Sequence, residues 1–77
     1  MEYQKVISTL RKIRERLKDE DEWFKWDDVN IAPATLMSLY TYGLLEMKQE
    51  KGRKYYYRLS DLAKGILQLY QDHSSTT

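Results

Sequence analysis

The sequence predicts a small α+β domain with three to four helices and a two- or three-stranded antiparallel sheet. Near both ends of the chain, apolar residues recur every three or four positions, the spacing of one helix face. Between them, residues 45–59 alternate apolar and polar side chains around Gly52, as a two-stranded hairpin does. The 77 residues suit one domain, assigned to 1–72. The polar segment 73–77 is predicted to be a disordered tail.

The first helix is predicted over residues 3–18. Basic side chains fill the positions outside its apolar stripe and are most simply a solvated face. The acidic run 19–22 is expected to lie in a loop, because acids at a helix C-terminus oppose the helix dipole. The stripe itself comprises Tyr3, Val6, Ile7, Leu10, Ile13 and Leu17.

The middle of the chain is predicted to hold a very short strand at 23–26, one helical turn at 26–29 and a longer helix. Pro33 suits the first turn of that helix, which would run to about Tyr42. Gly43 then stands where a left-handed C-terminal cap belongs. The residues expected to face inward are Leu36, Leu39 and Tyr40.

The hairpin is predicted to pair a strand at 45–49 with a return strand at 54–59, joined by a turn at Lys51-Gly52. Strand alternation puts Tyr55, Tyr57 and Leu59 on one face, with Tyr56 and Arg58 on the other.

A last helix over 61–72 is predicted to begin at Ser60, a favourable N-cap residue. Gly65 inside this helix costs about 1 kcal/mol relative to alanine. The expected apolar stripe comprises Leu62, Ile66, Leu69 and Tyr70.

Three segments, 39–46, 51–60 and 62–63, resemble the winged-helix DNA-binding family. In that family a recognition helix ends at a Gly-Leu pair and is followed by a basic hairpin, the wing. A Tyr-Arg-Leu-Ser/Thr segment then opens the final helix. The resemblance covers about residues 23–70 and implies a winged helix-turn-helix domain with Pro33–Tyr42 as its recognition helix. It further implies binding to double-stranded DNA, as in a small transcriptional regulator or a replication- or nucleoid-associated factor.

Two features depart from the family pattern. The second helix and the turn after it must both fit within 26–32. The recognition helix has no Lys, Arg, Asn or Gln, the side chains that usually read bases by paired hydrogen bonds. Any DNA contact is therefore expected to be led by the wing and only modestly specific.

The charge distribution favours the same contact surface. Residues 1–18 carry six basic and two acidic side chains, 19–28 carry six acidic and one basic, and 47–58 carry five basic and one acidic. Basic side chains on a hairpin neutralise phosphates, although they also discourage edge-to-edge strand pairing. The predicted DNA-contacting residues are Thr35, Ser38, Thr41, Lys48, Lys51, Arg53, Lys54, Tyr56 and Arg58.

The aromatic residues are assigned to the core rather than to a base-stacking platform, because a domain this small needs large side chains inside. Trp23 and Tyr56 are the two expected to be exposed. The core assignment covers Trp23, Phe24, Trp26, Tyr40, Tyr42, Tyr55 and Tyr57.

Composition argues against several other classes. The chain has no Cys and a single His, so no metal site, thiol nucleophile or cofactor is expected. No nucleophile motif or phosphate loop indicates an enzyme or a small-molecule substrate. No apolar run reaches the roughly 18 residues of a membrane span, and no signal-peptide core is present. We therefore expect a cytoplasmic protein that does not bind membranes.

One alternative stays open. The uncharged recognition helix and the acidic run also fit a winged-helix protein-interaction module within a transcription or replication assembly. The outer helices, 3–18 and 61–72, are candidates for a homodimer interface, and the monomer core explains their apolar stripes equally well.

Overall fold

The computed structural model describes the backbone of residues 2–52 and 54–75 and the side chains of residues 2–52 and 54–70. Within this part of the chain it is an α+β protein with four helices and a two-stranded antiparallel sheet, as predicted. The arrangement is consistent with a small winged-helix-like fold. The elements in chain order are α1 (Tyr3–Arg16), α2 (Trp26–Val29), α3 (Pro33–Thr41), β1 (Leu45–Glu50), β2 (Lys54–Leu59) and α4 (Asp61–Ser75).

Both outer helices end at other positions than predicted. α1 stops at Arg16, two residues early, because Leu17 takes an extended conformation with φ −90° and ψ 143°. α4 continues to Ser75, three residues beyond the predicted end, through positions predicted to be a disordered tail. No Pro or Gly interrupts 71–75, and extending an existing helix costs little per residue. Residues 76–77 lie outside the described part of the chain.

Among the described residues, the sheet is a hairpin with one extra bridge. β1 and β2 pair in antiparallel register, with Leu45 opposite Leu59 and Met47 opposite Tyr57. On the other edge of β2, Phe24 and Tyr57 exchange two backbone hydrogen bonds of 2.8 Å. The predicted short strand at 23–26 is thus reduced to one bridging residue, which fixes the start of α2 beside β2.

The core lies between the helices and the inner face of the hairpin. α1 packs against α4 and α2, α3 packs against β1, and α4 packs against β2. The core contains buried residues from all four helices and both strands, but none from the turn between the strands. The cluster comprises Leu10, Ile13, Phe24, Val29, Ile31, Leu36, Leu39, Leu44, Leu45, Tyr57, Leu59, Ala63 and Leu67.

The predicted apolar stripe of α4 is only partly correct: Ile66 packs against the core, but Leu62 and Leu69 do not. Leu62 and Leu69 are 56% and 67% exposed, whereas Ala63 and Leu67 are buried. α4 has apolar residues at both sets of positions, and its packing against α1 and β2 buries the set that includes the small Ala63. The exposed pair leaves an apolar strip on the outside of the domain.

The inward face of α3 is also smaller than predicted. Leu36 and Leu39 are fully buried, as expected, but Tyr40 is 41% exposed. A helix of nine residues presents few positions to the core, and these two leucines fill them.

Three local features place the hairpin relative to α3. Gly43 has φ +80°, the left-handed cap that the sequence predicts. The Ser60 hydroxyl accepts a hydrogen bond from the backbone N–H of Ala63 at 3.2 Å, confirming its N-cap role. The same hydroxyl donates to the carbonyl of Gly43 at 2.7 Å. Ser60 therefore joins the end of α3 to the start of α4 across the base of the hairpin.

Candidate nucleic-acid interface

The hairpin has a buried face and a charged face, as strand alternation predicts. Tyr57 and Leu59 point into the core and are buried. On the opposite face, Glu46 stands across from Arg58, and Lys48 across from Tyr56. The charged face is therefore built from side chains of both strands.

Two predicted DNA-contacting residues on this face already have partners within the protein. The Arg58 Nε donates to a Glu46 carboxylate oxygen at 2.8 Å, and the guanidinium lies 4.5 Å from the centre of the Trp23 ring. The Lys48 ammonium also lies 4.5 Å from that ring, and 3.5 Å from a Glu50 oxygen. Cation–π contact and carboxylate pairing both hold these charges in place.

Trp23 and Tyr56 are half-buried rather than exposed, because these cations cover them. The Lys48 ammonium lies 5.8 Å from the Tyr56 ring as well as against Trp23. The face is closer to neutral than its Lys and Arg count suggests, since Glu46 and Glu50 offset Lys48 and Arg58.

The hairpin tip carries the more available cations. Lys51 and Lys54 are exposed, and neither forms an ion pair with the part of the chain that the structure describes. Gly52 supplies the turn with φ +82°, as predicted. Arg53, also predicted to contact DNA, lies outside the described residues. The tip therefore offers Lys51 and Lys54 to a partner without first breaking an internal salt bridge.

A groove lies beside the tip, between the hairpin and the starts of α2 and α3. It has a volume of about 320 Å³. The Phe24–Tyr57 bridge brings the chain alongside β2. The Lys25 N–H then donates to the Asp28 carboxylate at 2.9 Å, which caps α2. The groove is lined by Lys25, Trp26, Pro33, Lys54, Tyr55 and Tyr57.

The groove exposes aromatic rings that the sequence assigned to the core. Trp26 is 51% exposed and Tyr55 is 43% exposed. The prediction holds for Phe24 and Tyr57, which are 1% and 4% exposed. Burial raises the pKa of the Tyr57 hydroxyl above its ordinary value.

Lys25 and Trp26 are candidate site residues that the sequence did not single out. The signal was their position, directly after a bridging residue and at the start of a helix that faces the hairpin. That position becomes informative only once the pairing of Phe24 with β2 is known.

The hydroxyl-bearing residues of α3 are less available than predicted. Of the three predicted contact residues, Thr35 and Ser38 are half-buried and Thr41 is exposed. The Ser38 hydroxyl donates to the carbonyl of Ala34 at 3.1 Å, and the Thr41 hydroxyl donates to that of Met37 at 3.0 Å. Because both hydroxyls donate to carbonyls of their own helix, α3 has few hydrogen-bond donors left that could distinguish one base pair from another.

The acidic run forms a loop, as predicted, and is attached to α4. The Asp19 carboxylate accepts from the Asp21 N–H at 2.9 Å, and the Glu22 carboxylate accepts from the Lys18 N–H at 2.9 Å. Asp21 also pairs with Lys64 of α4, which lowers the pKa of Asp21 and raises that of Lys64. Lys64 is therefore committed to this loop.

Geometry alone describes this site, since no protein-family model, curated protein or solved structure matches the chain. Over 2–52 and 54–75, the side chains described form no group of three His, Cys, Asp or Glu able to hold a metal ion. In the same stretches, none of the helices has the length and apolar character needed to cross a membrane.

Proposed function

We propose that this chain is a small DNA-binding protein of the winged-helix type that contacts duplex DNA through its hairpin tip. The observation that carries the proposal is which basic side chains form salt bridges within the protein and which do not. Lys51 and Lys54 are exposed at the tip, outside the ion pairs that occupy Lys48, Arg58 and Lys64. Their charges are available to neutralise phosphates, which supplies most of the affinity of sequence-tolerant binding.

Modest specificity follows from α3. Base reading in the major groove uses side chains with paired donors and acceptors, and the sequence of α3 contains none of the usual ones. Such a protein suits a cytoplasmic role that does not require recognition of a particular DNA sequence. It could be a replication- or nucleoid-associated factor, or a transcriptional regulator that acts with a second, sequence-specific protein.

A second candidate function is a protein-interaction module, and one observation favours it. Met37 and Tyr40 of α3 and its C-cap residue Tyr42 are 40%, 41% and 51% exposed, so this segment presents large rings and a thioether at its surface. Tyrosine and methionine are enriched in protein interfaces. The exposed Leu62 and Leu69 of α4 would serve a homodimer in the same way.

A mobility shift on random-sequence duplex, at low and moderate salt, separates the two candidates. We expect binding in the range of about 10⁻⁴ to 10⁻⁶ M at physiological salt, tightening at low salt. The Lys51→Ala/Lys54→Ala double variant should bind more weakly. Lys12→Ala removes an exposed charge from α1 and serves as the matched control.

Absence of any shift up to about 100 μM protein at low salt would contradict DNA binding and favour the protein-interaction module. If Lys12→Ala weakens DNA binding as much as the double variant does, α1 rather than the hairpin tip is the contact surface. Sedimentation under the same conditions reports whether α4 forms a dimer.

A further inference from the structure

The groove beside the hairpin tip exposes more ring surface than folding requires. The core already encloses Phe24 and Tyr57, yet Trp26 and Tyr55 remain about half exposed where the groove opens. Pro33 adds a further rigid apolar surface. Exposed aromatic rings gathered in one concave site typically mark a ligand site rather than a packing need.

The charges around these rings have one sign. Lys25 and Lys54 both line the groove, and no carboxylate lines it with them. The nearby Asp28 carboxylate accepts the backbone N–H of Lys25, as the cap of α2. The groove therefore combines flat apolar surfaces with two basic residues in its lining, which complement a ligand that has a flat ring and a negative charge.

At Tyr57, backbone pairing is not available on the groove side of β2. The N–H and the carbonyl of Tyr57 are both bonded to Phe24. A peptide that adds as a strand needs such free backbone groups, whereas a nucleobase needs only ring faces. A volume of about 320 Å³ lies near the lower limit of small-ligand sites, which suits one nucleotide better than a longer segment.

We propose that this groove binds one unpaired nucleotide next to a duplex held at the hairpin tip. Its base stacks against Trp26 and Tyr55, and its phosphate lies near Lys25 and Lys54. This inference rests on the proposed duplex binding, because Lys54 serves both surfaces. It makes the protein a ligand for DNA ends or junctions, where an unpaired base is accessible, rather than for continuous duplex.

The test compares three labelled DNAs by fluorescence anisotropy at one low salt concentration. They are a blunt random duplex, the same duplex with one unpaired adenosine at its 3′ or 5′ end, and that overhang with an abasic residue. We expect the adenosine overhang to bind at least about fivefold more tightly than the blunt end, the lower limit for stacking one base. The abasic overhang should lose this preference.

Three variants identify the groove as the site. Trp26→Ala and Tyr55→Ala should each bring the ratio of overhang to blunt affinity towards one. Tyr42→Ala, which removes a ring as exposed as Trp26 but outside the groove lining, should keep the wild-type ratio. Trp26→Phe retains an aromatic ring and should keep most of the preference for the overhang. Its result separates loss of the ring from a folding defect in Trp26→Ala. Circular dichroism checks each fold.

Each opposite result has a distinct meaning. Blunt duplex binding with no gain from the overhang overturns the groove inference and leaves the proposed function standing. No binding to any of the DNAs overturns both. A preference that survives Trp26→Ala and Tyr55→Ala, or the abasic residue, overturns base stacking in this groove. Quenching of tryptophan fluorescence by an acidic proline-rich peptide but not by the overhang duplex, if it is lost in Trp26→Phe, overturns the inference in favour of a peptide groove.

Discussion

Replacing Lys54 with alanine removes one cation from the hairpin tip and should reduce the salt dependence of duplex binding by a calculable amount. Among the described residues, Lys25, Lys51 and Lys54 are the cations in or beside the tip that form no salt bridge, and the sequence adds Arg53 between Gly52 and Lys54. Each phosphate contact contributes about 0.9 to the steepness with which log K falls with log salt. Four contacts set an upper value of about 3.6, or about 150-fold weaker binding between 50 and 200 mM salt.

Lys54→Ala should lower that steepness by about 0.9, and Lys51→Ala/Lys54→Ala by about 1.8. Arg58→Ala is the matched control, since it removes a cation from the same strand that is already paired with Glu46 and stacked on Trp23. For Arg58→Ala, the steepness with which log K falls with log salt should stay near the wild-type value even if the affinity falls. Anisotropy titrations on random duplex at several salt concentrations measure all three.

An unchanged steepness in Lys54→Ala would refute the division between available and occupied cations. An equal reduction in Arg58→Ala would refute it as well, because that result requires the Glu46 pair to open for DNA. Thermal unfolding of each variant shows whether a change in binding comes from loss of the fold.

Three further predictions concern stability, each measured by urea denaturation followed by circular dichroism. Leu39→Ala, at a fully buried position, should lower the free energy of unfolding by about 2 to 5 kcal/mol, and a loss under about 1 kcal/mol would place Leu39 outside the core. Gly43→Ala should destabilise by about 1 to 2 kcal/mol because φ is +80° there, while Gly65→Ala should stabilise by up to about 1 kcal/mol. Neither added Cβ meets an atom within 4 Å, so the same sign for both would contradict a backbone origin. Pairing with Lys64 holds the pKa of Asp21 below its ordinary value of 3.8. The pair therefore stabilises the fold above that value, and its contribution is lost as the pH falls through the lower folded pKa. Asp21→Asn should remove this part of the acid sensitivity, and an unchanged acid profile would show that the pair contributes nothing.

Local rules were sufficient for the hairpin and the caps. The two faces of β2 follow from strand alternation, because the side-chain period is two and Tyr57 must accompany Leu59. The conformations of Gly43 and Gly52 follow from the backbone freedom of glycine at turns. These features depend on a few consecutive residues, which is the range over which sequence patterns are informative.

Local sequence patterns could not decide which of two apolar faces of a helix is buried. α4 carries apolar residues at two overlapping sets of positions, and only its packing against α1 and β2 selects Ala63 and Leu67 over Leu62 and Leu69. The exposure of Tyr40 has the same origin, since a short helix buries only what its neighbours can cover.

The candidate site was predictable in part. The basic tip could be located from the residue types alone, but pairing across the strands decided which cations remain available. Arg58 and Lys48 meet Glu46, Glu50 and Trp23 through contacts between separate segments, which a charge count along the chain does not reveal. The groove needed the Phe24–Tyr57 bridge, a single residue pair.

The division of cations also explains how one small hairpin can serve both folding and binding. An exposed Arg or Lys that pairs with a carboxylate gains at most about 1 kcal/mol of stability from the pair, and the carboxylate offsets its attraction for a phosphate. The structure separates the two uses along the hairpin. Arg58 near the base and Lys48 in the middle of the hairpin hold Trp23, and Lys51 and Lys54 lie at the tip, next to the exposed rings of the groove. Substitutions at the base should therefore change stability first, and substitutions at the tip should change DNA affinity first.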